Sequence, residues 1–173
     1  MSCRCVFFDR DGIVNKHPNN RIIRSWEEFR FMPGFMESLR VVKEKGFCAV
    51  IITNQQGIRK GEYTAETVEM IHSRLVEKLG GWGLNLLDIF YCPHTAADDC
   101  ACRKPKPGMI FEAAEKHNID LSRSWVIGDQ ERDVQAGYAA GCRCVRVHAS
   151  PKTMAEHRIE SMDQLSALLD KIL

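Results

Sequence analysis

Short apolar runs alternate with longer stretches of helical period along the chain. Cys5 to Phe8, Cys48 to Ile52, Leu86 to Tyr91, Trp125 to Ile127 and Cys144 to Val147 are brief and rich in β-branched or aromatic residues, the pattern of buried strands. Between them, Pro33 to Lys45, Thr64 to Leu79, Pro107 to Lys116 and Asp133 to Ala140 read as helices, and Ser161 to Leu173 as an amphipathic closing helix. Gly46, Gly80-Gly81 and Gly141 stand just past three of these helices, where a left-handed residue ends a helix without steric penalty. Strands alternating with helices predict a doubly wound α/β domain, a parallel sheet covered on both faces. No repeat or linker divides the chain, so residues 1–173 are expected to form a single domain.

Composition narrows what such a domain can do. Lys and Arg total 24 against 23 Asp and Glu, giving a formal charge of +1, so no global field draws the chain to nucleic acid or membrane. The first apolar run is too short for a signal or a membrane span, and a cytoplasmic protein is expected. Eight cysteines in that setting suggest metal ligation or reduced thiols rather than a disulfide framework.

In open α/β sheets, ligands bind beyond the carboxyl ends of the strands. Polar clusters fall at four such ends: Asp9 and Asp11 after the first strand, Thr53 and Asn54 after the second, Cys92 and His94 after the third, Gly128 and Asp129 after the fourth. Asp9, Asp11, Asp129 and Asp133 would make a self-repulsive rim unless a hard cation such as Mg²⁺ joined it, and that ion also bridges phosphates. A carboxylate beside the ion can attack phosphorus, and a second acid can protonate the leaving oxygen and later activate water. Asp133 suits either a water-mediated place at the metal or a helix cap.

The segments DRDGIVN, IITN, RKPKPGM and VIGDQERD, in that order, resemble the four motifs of the haloacid dehalogenase superfamily of phosphohydrolases, over nearly the whole chain to about Val147. The resemblance implies a Rossmann-like fold and a magnesium-dependent phosphatase. By it Asp9 is the nucleophile, Asp11 the general acid and base, Thr53 a phosphoryl donor and Lys104 the stabiliser of phosphoryl charge. Magnesium would be held by Asp9, the Asp11 carbonyl and Asp129. Ile13 stands where the superfamily usually has Thr, and Gln130 where many close relatives have Lys.

Cys92, His94, Cys100 and Cys102 form C-x-H-x5-C-x-C, a closed four-ligand set for one structural Zn²⁺ in the loop after the third strand, poised to deliver Arg103 and Lys104. The pairs Cys3/Cys5 and Cys142/Cys144 lack a histidine and are expected as buried, reduced thiols. Within the superfamily such a zinc loop resembles that of enzymes acting on a phosphosugar or on a phosphorylated amino alcohol. The short His94 to Cys100 spacing resembles the amino-alcohol branch, whereas RKPKPGM, SWEEF and NQQGI favour the phosphosugar branch, which is preferred. No insertion is long enough for a large cap domain, so the loops Lys16 to Trp26, Gln55 to Tyr63 and the zinc loop must wall the site. Substrate contacts are expected from Asn54, from Arg103 toward a second phosphate or a sugar hydroxyl, and from His17, Asn19 and Asn20 on the first loop. The expected partner is a small phosphorylated sugar bound by a monomer. A receiver-like signalling domain would carry its phosphoacceptor after the third strand rather than the first, and a zinc-stabilised binding module with a decayed site would not retain complete motifs.

Overall fold

The computed structural model describes residues 2–17, 22–148 and 152–173. Six strands pair in parallel in the order β3-β2-β1-β4-β5-β6. They are β1 (Cys5–Phe8), β2 (Cys48–Asn54), β3 (Asp88–Cys92), β4 (Trp125–Gly128), β5 (Arg143–Val147) and β6 (His157–Ile159). The helices are α1 (Phe35–Glu44), α2 (Ala65–Gly81), α3 (Gly108–His117), α4 (Glu131–Ala139) and α5 (Leu165–Ile172).

The two-residue period of the strands decides which helices cover which face. Val6, Phe8, Ala49, Ile51, Trp125 and Ile127 pack with α1, α2 and α5, through residues such as Leu39, Leu75 and Leu165. Their alternates Cys5, Phe7, Val50, Ile52 and Val126 pack with Met109, Ile110 and Ala113 of α3 and with Val134 and Ala136 of α4. Each fully buried side chain of this kind contributes about 1.5–3 kcal/mol of transfer free energy. The central strands therefore form a rigid floor, and β1, in the middle, carries its polar extension at the crossover point where the strand order reverses. Among the described residues no cap domain interrupts this plan, and no helix is long and apolar enough to cross a membrane.

Two features depart from expectation. β6 is a three-residue edge strand, His-Arg-Ile, too short and too polar to register as an apolar run. Cys3 is not a free thiol: it is joined to Cys48, the two Cα atoms lying 6.7 Å apart. Cys48 stands opposite Cys5 in the β1–β2 register, which brings it beside Cys3 across the strands rather than along one. Cys5, Cys142 and Cys144 are free and buried, as expected.

Candidate active site

The acidic centre assembles at the carboxyl ends of β1, β2 and β4. Asp9 leaves β1 with its backbone N–H donating to the Ile127 carbonyl at 2.9 Å, which fixes where its carboxylate begins. Lys104, fully enclosed, donates to Asp9 Oδ1 at 2.7 Å and to the Ile52 carbonyl at 2.8 Å, and its ammonium pairs as an ion with Asp133 Oδ1 at 2.8 Å. Burial pushes the Asp9 carboxyl up; Lys104 opposes it while Asp133 and Asp129 add to it, and the group settles at about 7. Burial pulls the Lys104 ammonium down, but Asp133 and Asp9 outweigh that and hold it above its ordinary value.

Asp129 follows β4. Burial raises its carboxyl, yet His17 and Gln130 more than compensate and hold it low. Both act on one oxygen: Gln130 Nε2 donates to Oδ2 at 3.2 Å and His17 Nε2 lies 3.4 Å from it. The other oxygen, Oδ1, is buried and makes no hydrogen bond. Asp9, Asp129 and Asp133 each offer an oxygen within 4.8 Å of the others, so the orphaned Oδ1 and the acid cluster fit a hard divalent cation. Gly12 lets the groups meet, since its φ is +96° and a Cβ there would lie 2.5 Å from Asp129 Oδ2 and 2.9 Å from His17 Nε2. Asp133 is both a cap and an ion-pair partner: its Oδ2 accepts from the Gln130 N–H at 3.0 Å at the start of α4, while Oδ1 faces Lys104.

Asp11 is held as an anion. Arg10 reaches both its oxygens, at 3.1 and 3.0 Å, and Asn15 and Gln55 donate at 3.0 and 2.9 Å. Burial raises this carboxyl, but Arg10, Asn15 and Gln55 together bring it below its ordinary value. Behind Arg10 lies His72, its Nε2 3.2 Å from Arg10 Nη1, driven down to about 3 by burial and by that guanidinium. Arg10, His72 and Gln55 were missed in the sequence. Gln55 was legible in principle, because it follows Thr53 by two and so shares its side of the chain.

Asn54, expected to contact substrate, lines the cavity above the centre and also has a structural place. Its carboxamide donates to the Lys104 carbonyl and accepts from the Lys104 N–H, both at 3.1 Å, so it splices β2 to the motif that carries Lys104. Arg103 is anchored by two of its five N–H donors, to the His94 carbonyl at 2.9 Å and to Gln56 Oε1 at 3.2 Å. Asn19 and Asn20 lie outside the described residues. A cavity of roughly 720 Å³ opens above the centre, lined by Asp11, His17, Gln55, Tyr63, Asp129 and Arg132 among others.

Beside it, Cys92, His94, Cys100 and Cys102 converge. Cys102 Sγ lies 3.1 Å from Cys92 Sγ, 3.4 Å from Cys100 Sγ and 3.4 Å from His94 Nδ1. Burial and the two neighbouring sulfurs push the Cys102 thiol up, as expected where thiolates crowd with no protein cation among them. Soft sulfur donors with one imbidazole-type nitrogen suit a tetrahedral zinc ion.

A parallel sheet whose crossover point carries a buried carboxylate, its lysine and further metal-competent carboxylates defines a phosphoryl-transfer hydrolase. Comparison with known proteins gives the same class. A family model for HAD-like hydrolases matches residues 101–170. The D-glycero-beta-D-manno-heptose-1,7-bisphosphate 7-phosphatase of Helicobacter pylori J99 is 42% identical over 79% of this chain and 78% of its own. The alpha-specific enzyme by name, from Photorhabdus laumondii, is 35% identical over 87% and 85%. The crystal structure of the Bordetella bronchiseptica D,D-heptose 1,7-bisphosphate phosphatase, complexed with magnesium and phosphate, superposes with a TM-score of 0.87 at 29% identity, covering 97% and 98% of the two chains. The chain belongs to the heptose-1,7-bisphosphate 7-phosphatase family of HAD-like phosphatases.

Proposed function

We propose that this enzyme removes the 7-phosphate of D-glycero-D-manno-heptose 1,7-bisphosphate through an aspartyl-phosphate on Asp9. The carrying observation is the buried Asp9–Lys104 pair beside the unpartnered Asp129 Oδ1, in a chain whose relatives bear that substrate's name. Asp9, the Asp11 carbonyl and Asp129 would hold Mg²⁺, which, when bound, neutralises the acid cluster and supplies attraction for a phosphoryl dianion.

The residues do the rest. The Asp9 carboxylate attacks phosphorus as the bond to the sugar oxygen breaks, and Asp11, protonated against the pull of Arg10, Asn15 and Gln55 by the like charge of the incoming phosphoryl dianion, gives that oxygen its proton. Left as a carboxylate, the state that Arg10, Asn15 and Gln55 favour, Asp11 then takes a proton from the water that cleaves the aspartyl-phosphate. Lys104 and Thr53 face the charge on the phosphoryl oxygens. Cys92, His94, Cys100 and Cys102 would bind structural zinc and brace the turn that carries Lys104. The groups named for the reaction converge on the carboxyl end of one sheet, which supports a single domain.

The test is a substrate panel: both anomers of the heptose bisphosphate, fructose 1,6-bisphosphate and histidinol phosphate, ranked by kcat/KM, with Asp9→Asn as control. Preference for a heptose bisphosphate, lost in the control, is expected. Preference for histidinol phosphate, the alternative favoured by the five-residue spacing between His94 and Cys100, would overturn the substrate assignment.

A further inference from the structure

We propose that Gln55 is a positioning residue that sets the proton donor and the phosphoryl donor together, and that Tyr63, on the cavity wall, locks it in the working orientation. The proposal rests on the phosphatase reading above. Gln55 is 2% exposed, and its backbone N–H donates to the Cys92 carbonyl at 2.7 Å, so its side chain starts from a fixed point beyond β2.

The donor and acceptor inventory of a carboxamide then decides what each end does. Tyr63 Oη donates to Gln55 Oε1 at 2.8 Å, which leaves the amide nitrogen to face the catalytic groups. Its two hydrogens go to Asp11 Oδ2 and to Thr53 Oγ1, both at 2.9 Å. A threonine hydroxyl that accepts from Gln55 keeps its own hydrogen for another acceptor, and the phosphoryl oxygens are what Thr53 faces in the proposed reaction. One buried side chain thus orients the Asp11 carboxylate toward the leaving oxygen and turns Thr53 into a donor toward phosphorus. With the amide reversed, its oxygen would face the Asp11 carboxylate and leave both relationships broken.

Tyr63 makes the reversed state unfavourable and connects it to the substrate. Its ring packs against Gly57 so closely that a Cβ there would come within 2.6 Å of Tyr63 Oη. Tyr63, Gln55 and Gly57 all line the cavity, so the loop that meets substrate is wired by two hydrogen bonds to the acid and the hydroxyl.

A pair of substrates separates positioning from a merely structural role. An alkyl phosphate such as the sugar bisphosphate needs a proton on its leaving oxygen, whereas the phenolate of p-nitrophenyl phosphate departs without one. Gln55→Met, similar in shape but without the donors, is expected to lower kcat/KM about 10²-fold on the alkyl phosphate and only about tenfold on p-nitrophenyl phosphate, the second loss reflecting Thr53. Gly57→Ala, which displaces Tyr63, and Tyr63→Phe are expected to give the same unequal pattern at about three- to tenfold, and their milder chemistry keeps the test open if Gln55→Met fails to fold. Equal losses on both substrates, or none, in variants with wild-type thermal melting would overturn the proposal while leaving the phosphatase reading intact. A wild-type enzyme that cleaves neither substrate would overturn both.

Discussion

At the acidic centre, carboxylates from the end of β1 and from the first turn of α4 already have a counter-ion, Lys104, buried between them. At the Cys/His centre next to it, three sulfurs and an imidazole lie within hydrogen-bonding distances of one another, and no protein cation sits among the four. The first cluster can persist without metal because like charges are balanced by an ammonium in the same low-dielectric space. The second has no internal counter-ion, so its sulfurs would carry charge together only around a bound cation. On the proposed reading, the acidic centre would tolerate loss of its cation better than the Cys/His centre would.

The largest effect follows from removing the balance. Lys104→Met leaves Asp9 and Asp133 buried without their cation, and is expected to cost about 3–5 kcal/mol of stability in magnesium-free buffer, with turnover reduced at least about 10³-fold. Chemical denaturation with and without Mg²⁺ checks it: added Mg²⁺ should recover much of the stability and little of the activity. Stripping zinc with a chelator, or Cys102→Ser, should act in the other order. The melting temperature falls because loop order is lost, and kcat/KM drops by about 10- to 100-fold as Lys104 and Asn54 lose their register. Magnesium affinity unchanged after zinc loss would confirm that the two centres are separable.

The acidic centre has a second internal cation, Arg10, and the histidine behind it must stay neutral. Burial and Arg10 lower the His72 imidazole from 6.5 to about 3 in the fold. Its contribution to stability is therefore complete above pH 6.5 and is lost as pH falls from about 6.5 toward 3, where the unfolded chain binds a proton that the folded one refuses, a swing of roughly 5 kcal/mol. His72→Gln should flatten the pH dependence of unfolding across that window relative to wild type. A smaller effect is expected at His17, one of two groups acting on Asp129 Oδ2. Without it the carboxylate is freer to turn, and His17→Ala should weaken the apparent Mg²⁺ affinity about tenfold, read from the magnesium dependence of turnover, with little change in melting.

Asn54 and Asp133 show where reading residues in order meets its limit. Asn54 follows Thr53 at a strand end, where a substrate contact is a natural expectation, and the fold adds what the order of residues did not show, the Lys104 backbone at both ends of its carboxamide. Asp133 suits either metal or a helix cap in sequence, and the tertiary structure gives it the cap and Lys104 at once. Cys3 reads in sequence with Cys5, two residues on, as a reduced pair, yet its partner is Cys48 on the adjoining strand.

What the chain by itself determined is everything that repeats locally: among the described residues, five of the six strands and all five helices from their periods, the Cys/His cluster from eleven consecutive positions, and the acid motifs from their places at strand ends. Those patterns are short-range, because side-chain direction along a strand or helix follows from backbone geometry alone. Only the tertiary structure decided which oxygen of Asp129 stays unpartnered, that Lys104 bridges Asp9 and Asp133, and that Gln55 joins Asp11, Thr53 and Tyr63. Hydrogen-bond partners from separate strand ends depend on how the sheet is ordered and twisted, and the partners of a buried polar group are chosen by whatever packing brings within about 3 Å of it.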